Sequence, residues 1–302
     1  MLHIQQIARY TGHRAALYAL APGRDDRHFL SAGGDGWITE WDIDAPEAGR
    51  VVANIETQVF SLCALDDPDR IVAGNMTGGL HWITRSKPDS TRNVQHHKNK
   101  GVYALRQHGE YVFSAGGDGV LTRWSAAAGH ALESIQLSNQ ALRCMDISAQ
   151  RREIAVGASD HSLYLLDLDT FAVKKILPKA HGNSVFAVAY APDGQHLLTG
   201  GRDAMLRVWD ISSDLALVKE QAAHWFTLNH LVFSPDGTLF ATASRDKTIK
   251  IWDAQDFNLL KVLDVQRFGS HANSVNQLLW LPEGLLSCSD DRSVLRWFVK
   301  RA

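Results

Sequence analysis

Residues 181–210 read HGNSVFAVAYAPDGQHLLTGGRDAMLRVWD, and residues 224–253 read HWFTLNHLVFSPDGTLFATASRDKTIKIWD. Both stretches begin with His, carry a Pro-Asp-Gly turn in the middle and end with a Trp-Asp pair, and their Trp residues lie 43 positions apart. Self-similarity at such a period indicates supersecondary units that bury their apolar faces only against neighbouring units. The chain is therefore predicted to be an array of repeats.

The same pattern extends over the rest of the chain. Further units read HRAALYALAPGRDDRHFLSAGGDGWITEWD at 13–42, GVYALRQHGEYVFSAGGDGVLTRWS at 101–125 and HANSVNQLLWLPEGLLSCSDDRSVLRWF at 271–298. Six of the units end with a Trp: Trp41, Trp82, Trp124, Trp209, Trp252 and Trp297. In the fourth unit Leu166 stands at the Trp position. We place seven repeats within a single domain of residues 1–302, at 1–44, 45–84, 85–126, 127–169, 170–212, 213–255 and 256–302.

Each unit shows the periodicity of short β-strands. Val185, Ala187 and Ala189 alternate with less apolar residues, and the Pro-Asp-Gly turn at 192–194 follows them directly. Alternation with period two is typical of a strand, and Pro followed by Gly favours a tight turn. The pattern predicts about four antiparallel strands per unit and an all-β fold.

The chain resembles the WD40-repeat family. Trp-Asp pairs at 41–42, 209–210 and 252–253 and a Gly-His pair at 12–13 carry the resemblance, which covers essentially the whole chain. It implies a seven-bladed β-propeller with four antiparallel strands per blade. Residues 3–10 read as a lone strand, and the resemblance implies that this N-terminal strand pairs in the last blade, closing the ring and removing an open sheet edge.

The resemblance also implies a structural tetrad of Trp, Ser or Thr, His and Asp in each well-matched blade, hydrogen-bonded in series. The residues assigned to it are His13, Ser31, Asp35, Trp41; Ser114, Asp118, Trp124; His181, Thr199, Asp203, Trp209; His224, Thr242, Asp246, Trp252; and His271, Ser287, Asp291, Trp297. His97 in the third unit is one residue out of register. Such a set could suggest a hydrolase triad, but an enzyme needs one constellation and this one repeats.

Two units depart from the tetrad pattern. In the second unit Val72 and Met76 stand at the Ser and Asp positions, and in the fourth unit Val156 and Leu166 stand at the Ser and Trp positions beside a retained Asp160. We expect both blades to be held together by apolar packing.

In the WD40 family the rim that carries the tetrad His and Asp, called the top face, presents two positions per blade near the central channel. The resemblance places there Tyr18, Phe60, Tyr103, Arg143, Phe186, Asn229 and Asn276 in a first ring, and Gly34, Asn75, Gly117, Ser159, Arg202, Arg245 and Asp290 in a second. Trp225 follows the tetrad His224 and is expected on a top loop. We predict partner binding by the first ring with Arg202, Arg245 and Trp225, because aromatic and Arg side chains dominate binding hot spots.

One side of the channel mouth would then be aromatic and the other basic. That combination suits a peptide with an apolar anchor and an acidic neighbour. The alternative is that the Tyr and Phe side chains only pack between blades.

Composition narrows the class of partner. The net charge of −2 gives no general attraction to nucleic acid or to anionic membranes. The polar stretch RSKPDSTRNVQHHKNK at 85–100 is interpreted as a solvated sheet edge, since no aromatic residue interleaves its basic residues. Cys63, Cys144 and Cys288 are predicted to be buried thiols of a reducing compartment, and the start of the chain lacks a signal-peptide pattern, so we expect a cytoplasmic protein.

The sequence therefore predicts a non-catalytic scaffold that binds a protein or peptide through its top face and forms part of a larger complex. No cofactor, metal, catalytic residue or membrane contact is expected, and the isolated chain is expected to be a monomer. Two alternatives stay open at this point. One is a small-molecule sensor or an enzyme that uses the central channel, and the other is a nucleic-acid-binding platform.

Overall fold

The computed structural model describes residues 2–87 and 91–301, in which seven antiparallel four-stranded sheets form the blades of a propeller. The N-terminal strand is β1 Leu2–Thr11. Blades 1 to 4 contain β2 Leu17–Pro22, β3 His28–Gly33, β4 Trp37–Asp42, β5 Arg50–Asn54; β6 Val59–Ala64, β7 Arg70–Asn75, β8 Gly79–Thr84, β9 Arg92–Gln95; β10 Val102–His108, β11 Tyr111–Gly116, β12 Val120–Ser125, β13 Ala131–Gln136; β14 Leu142–Ser148, β15 Glu153–Ala158, β16 Leu163–Asp167, β17 Val173–Leu177. Blades 5 to 7 contain β18 Val185–Tyr190, β19 His196–Gly201, β20 Met205–Asp210, β21 Ala216–Ala222; β22 Leu228–Phe233, β23 Leu239–Ser244, β24 Ile249–Asp253, β25 Leu259–Leu263; β26 Val275–Leu281, β27 Gly284–Ser289 and β28 Ser293–Arg301, the last paired with β1.

The ring is closed as predicted. The first strand of each blade contacts the first strand of the next, from β2 through β6, β10, β14, β18 and β22 to β26 and back to β2. In blade 7, β1 pairs antiparallel with β28, from Leu2 opposite Arg301 to Thr11 opposite Ser293. The two ends of the described chain therefore meet in one sheet, and β28 is paired on both sides like the third strand of every other blade.

The hydrophobic core lies between neighbouring blades. Leu30 and Ile38 of blade 1, for example, pack against Ile71 and Ile83 of blade 2. Similar clusters occupy the other interfaces, so both faces of the inner strands are buried and no blade forms a core alone. The α-helix found in the described residues, α1 Val265–Phe268, is far shorter than a membrane span.

Antiparallel order within the blades defines the top face. The turn between the second and third strands lies at the same end of the blade as the loop leading into the first strand. In every blade one residue of that turn adopts a left-handed conformation: Gly36, Gly78, Gly119, His161, Ala204, Lys247 and Arg292, with φ between 65° and 89°. In five of the seven blades this residue directly follows the tetrad Asp.

The position of this turn in blade 2 shows that the alignment predicted for the second repeat was wrong by one residue. Its left-handed residue is Gly78, so Thr77 takes the Asp position, one residue later than predicted from Trp82. Strand register agrees: Ile83 lies opposite Ile71, as Trp209 lies opposite Leu197 in blade 5. Ile83 is therefore the residue equivalent to the recurring Trp.

Trp82 consequently faces the opposite side of its blade. Adjacent residues of a strand point to opposite faces, so a shift of one residue moves Trp82 from the blade 1 interface to the blade 3 interface. There it packs against Val112 and Trp124. Its indole Nε1 is buried and has no hydrogen-bond partner among the residues that the structure describes.

The three cysteines are buried free thiols, as expected. Burial raises the pKa of Cys63 to about 11 and that of Cys144 to about 12, and it raises the pKa of Cys288 further. None of these thiols is a reactive nucleophile near neutral pH.

Candidate functional site

Five blades contain the complete hydrogen-bonded series of the tetrad. In blade 6, Trp252 Nε1 donates to Thr242 Oγ1 at 2.9 Å, this hydroxyl lies 2.8 Å from His224 Nε2, and His224 Nδ1 lies 2.9 Å from Asp246 Oδ2. The same three bonds, at 2.8 to 3.0 Å, join the assigned residues of blades 1, 5 and 7, and in blade 3 they join the assigned residues to His97. The series links an inner loop, a turn and two strands within each blade.

The direction of the bonds follows from the donor at one end. An indole N–H can only donate, so the hydroxyl accepts from Trp and donates its own proton to His Nε2. The His proton must then lie on Nδ1, which donates to the carboxylate. Burial lowers the pKa of His224 although Asp246 opposes this, and the ring is neutral. Burial would raise the pKa of Asp246, but the hydrogen bond from His224 holds it well below its usual value.

The tetrads are not catalytic triads in geometry. A nucleophilic hydroxyl must reach a substrate, whereas the Ser and Thr of all five sets are fully buried: Ser31, Ser114, Thr199, Thr242 and Ser287. Each hydroxyl is enclosed between its Trp and its His. The arrangement satisfies buried polar groups and fixes the top loops.

His97 completes the tetrad of blade 3, a role that sequence reasoning did not assign to it. Its Nε2 lies 2.8 Å from Ser114 Oγ and its Nδ1 lies 3.0 Å from Asp118 Oδ1. The loop that follows has one residue more than its counterpart in blade 5, and Lys98 and Asn99 accommodate it with φ values of 39° and 56°. Two successive polar residues able to adopt positive φ were the available signal.

Blades 2 and 4 replace the tetrad in different ways. In blade 2, buried Ile55, Ala73 and Ile83 occupy the His, Ser and Trp positions, so apolar packing holds the blade as expected. In blade 4 the expectation of apolar packing was incomplete. Ser138 Oγ and the Tyr164 hydroxyl each donate to Asp160 Oδ2 at 2.6 Å. Ser138, at the His position, thus keeps a polar link between the loop and the turn.

The predicted first ring does line the channel at the top face: Tyr18, Phe60, Tyr103, Arg143, Phe186, Asn229 and Asn276 border one cavity. Its aromatic members contact one another across blades. The Phe60 ring lies 5.3 Å from Tyr18, edge to face, and 5.5 Å from Tyr103, stacked. The arc of aromatic rings is therefore continuous from blade 1 to blade 3.

Arg143 fills the gap between this arc and blade 5. Its guanidinium carbon lies 4.4 Å from the Tyr103 ring centroid and 5.3 Å from that of Phe186, and its Nε donates to Ser159 Oγ at 2.8 Å. Much of the arc's π-surface is thus already occupied by a side chain of the same protein. This favours the packing interpretation for the mouth aromatics.

The two Asn residues of the ring hold neighbouring blades together. Asn229 Nδ2 donates to Val275 O at 2.8 Å, and Asn276 Nδ2 donates to Leu17 O at 2.7 Å. These amides link blade 6 to blade 7 and blade 7 to blade 1. Their donors are therefore committed within the protein.

The channel below the mouth offers little for chemistry. Arg106 and Asp146 face each other at 4.0 Å, and burial lowers the pKa of the nearby His230 to about 3, so that its ring is neutral. No cluster of three potential metal ligands occurs in the part of the chain that the structure describes. The cavity measures about 100 Å³, less than the roughly 150 Å³ of a cavity that holds one benzene molecule.

The second ring needs one correction. Because the repeat in blade 2 is shifted by one residue, Met76 rather than Asn75 takes the rim position, and 41% of its surface is exposed. Asn75 instead is buried and accepts backbone N–H bonds from Thr77 and Gly79. Arg202 and Arg245 are exposed on the turns of blades 5 and 6.

Trp225 is the most exposed large apolar residue described, with 87% of its surface accessible, and the next residue, Phe226, is 60% exposed. Phe226 was not singled out from the sequence. Asp246 of the tetrad and the neighbouring Ser244 hold the backbone of these two residues. Trp225 N donates to Asp246 Oδ2 at 3.0 Å, and Ser244 Oγ donates to Phe226 O at 3.2 Å.

Comparison with known proteins agrees with the fold. The family described as WD domain, G-beta repeat, matches residues 4–42, 173–210, 216–253 and 263–297. The crystal structure of the WD40 beta propeller domain of Doa1 superimposes with a TM-score of 0.86 at 18% identity, covering 99% of this chain and 97% of that chain. The fold is a seven-bladed β-propeller, and the family match shows that the chain carries WD40 repeats.

Curated relatives share the repeats at low identity. The Ribosome biogenesis protein WDR12 homolog of Chlamydomonas reinhardtii is 27% identical over 221 residues, which is 70% of this chain and 45% of that protein. WD repeat-containing protein 90 of Xenopus tropicalis is 30% identical over 147 residues, 45% of this chain and 8% of that protein. Cilia- and flagella-associated protein 52 of Mus musculus is 22% identical over 213 residues, 68% of this chain and 34% of that protein. The chain thus spans less than half the length of each of these relatives.

Proposed function

We propose that this propeller is a non-catalytic scaffold that binds a protein partner through its top face and acts within a larger complex. WD-repeat relatives named for ribosome biogenesis and for cilia and flagella support a role in assemblies. Buried tetrad hydroxyls and a small channel cavity argue against catalysis at either place.

The observation that carries the proposal is the exposed pair Trp225 and Phe226. Aromatic side chains bury about 150–250 Å² each when covered, and such residues dominate the energetics of protein interfaces. Burying one large apolar side chain contributes roughly 1.5–3 kcal/mol, and both residues forgo that contribution while they stay in water. The fixed backbone also reduces the entropy lost on binding.

The test is affinity capture with the full chain, comparing wild type with Trp225→Ser/Phe226→Ser. A matched control is Val218→Ser, which removes an apolar side chain that is 51% exposed on the outer strand β21. We expect the double variant to lose partners that the control retains. Capture of the same partners by a folded double variant would refute binding through this pair.

A further inference from the structure

We propose that the top face of blades 5 to 7 binds an acidic peptide segment that carries apolar side chains, with Trp225 and Phe226 as the apolar contact. This inference rests on the proposed function and specifies the chemistry of the partner. It also moves the main contact from the channel mouth to the loops of blade 6.

The first support is a set of exposed cations beside the aromatic pair. Arg245 lies on the turn next to it, where its backbone N–H donates to Thr227 O at 3.0 Å. Lys247 lies on the same turn, and the equivalent turns of blades 5 and 7 supply Arg202 and Arg292; all three are exposed. Within residues 2–87 and 91–301, these four side chains form no ion pair, because none of their nitrogen atoms lies within 4.0 Å of a carboxylate oxygen.

The Asp carboxylates of the same turns already have hydrogen-bond donors within the protein. Asp203, Asp246 and Asp291 are half-buried, and each accepts a hydrogen bond from its tetrad His and from a backbone N–H of the adjoining loop. Burial would raise the pKa of each, but these hydrogen bonds hold it below its usual value. An incoming carboxylate would therefore meet Arg and Lys side chains that have no acidic partner of their own.

The second support is that the side chains of the channel mouth are already engaged with one another. Arg143 occupies the space between Tyr103 and Phe186, and the amides of Asn229 and Asn276 are bonded to neighbouring blades. A partner's apolar side chain finds no comparable exposed aromatic surface there. Trp225 and Phe226 are the large aromatic side chains that this face leaves open to solvent.

Exposed Trp beside Arg also suits stacked bases of single-stranded nucleic acid. The arrangement of charged residues on these turns favours a peptide over a nucleic acid. The cations are separate, with one or two on each turn, and Asp290 adds an exposed carboxylate in blade 7. A continuous phosphate backbone needs cations along its length and would meet Asp290, whereas a peptide can place a few carboxylates opposite the cations and apolar residues opposite the aromatic pair.

The test measures fluorescence anisotropy of short labelled peptides with the full chain. The probe alternates Glu with Leu, and two matched peptides alternate Lys with Leu and Glu with Ser. We expect the Glu/Leu peptide to bind at least tenfold more tightly than either control and to weaken as salt is raised. Trp225→Ser/Phe226→Ser should reduce the affinity at least tenfold. Arg202→Ser/Arg245→Ser should reduce both the affinity and its dependence on salt, and Val218→Ser should change neither.

Two results would overturn the acidic-peptide inference: a Lys/Leu peptide that binds as tightly as Glu/Leu, or a labelled single-stranded DNA that binds more tightly than both. The failure of the broader proposal is distinguishable. If no peptide binds but the aromatic double variant still loses its cellular partners, only the partner chemistry is wrong. If that variant keeps its partners, the top-face function is wrong as well.

Discussion

Trp82 and Trp252 both keep the repeat spacing but occupy different places in their blades, so the same substitution should affect stability differently at the two positions. Trp252 Nε1 donates to Thr242 Oγ1 at 2.9 Å, whereas Trp82 Nε1 is buried without a partner among the described residues. Replacing either Trp by Phe removes a similar part of a buried ring. The packing loss is therefore comparable, and the hydrogen-bond contribution decides the difference.

Trp252→Phe loses a hydrogen bond with a net contribution of roughly 0.5–1.5 kcal/mol. Trp82→Phe removes an unsatisfied N–H that costs roughly 1–3 kcal/mol to bury. The two variants should therefore differ in free energy of unfolding by about 1.5–4.5 kcal/mol, with Trp82→Phe the more stable. Trp124→Phe is the control, because Trp124 is buried beside Trp82 but donates to Ser114 Oγ.

Guanidinium denaturation of the full chain, followed by circular dichroism, measures the difference. Trp124→Phe should resemble Trp252→Phe. Equal destabilisation by all three substitutions would refute the argument. It would mean that Trp82 has a hydrogen bond in solution or that its ring faces blade 1.

The remaining predictions concern the tetrads, the thiols and the channel mouth. Thr242→Val leaves both Trp252 Nε1 and His224 Nε2 without a partner, so it should lower the free energy of unfolding by about 2–5 kcal/mol, and a loss below about 1 kcal/mol in denaturation would contradict the tetrad account. Because burial lowers the pKa of His181 and His224 in the folded state, stability should fall as the pH drops below about 6.5. It should fall further below about pH 4, where the lowered pKa values of Asp203 and Asp246 no longer favour folding, and pH-independent unfolding between pH 7 and 3 would exclude both contributions. The buried thiols should not react with a thiol reagent in the native protein and should react fully after unfolding; rapid native labelling would show that the blades open locally. Phe60→Ala/Phe186→Ala should keep partner capture, since these rings pack against Tyr103 and Arg143, and loss of capture by a folded variant would restore the mouth as the binding site.

Repetition made most of the architecture predictable. A tetrad encoded at similar spacing in five blades identifies its own members, because each set must satisfy the same buried donors and acceptors in the same local geometry. The N-terminal strand could likewise be assigned to blade 7, since the third strand of that blade would otherwise expose the backbone groups that a fourth strand pairs in the other blades. These features depend on residues close in sequence or on a pairing that the ring requires.

Only the tertiary structure showed where a shift of one residue changes the face and the partners of a side chain. Trp82 keeps the repeat spacing, yet the pairing of Ile83 with Ile71 turns its side chain to the other interface, because a strand alternates its faces at every residue. His97 breaks the spacing, yet the longer loop before β10 and the shorter connection between β10 and β11 together bring it to Ser114. Occupation of the mouth by Arg143 depends on contacts between blades, and the exposure of Trp225 and Phe226 depends on which side chains the folded top face leaves uncovered. The repeats in the sequence alone determined the fold. Three-dimensional packing determined which side chains remain exposed and free to bind a partner.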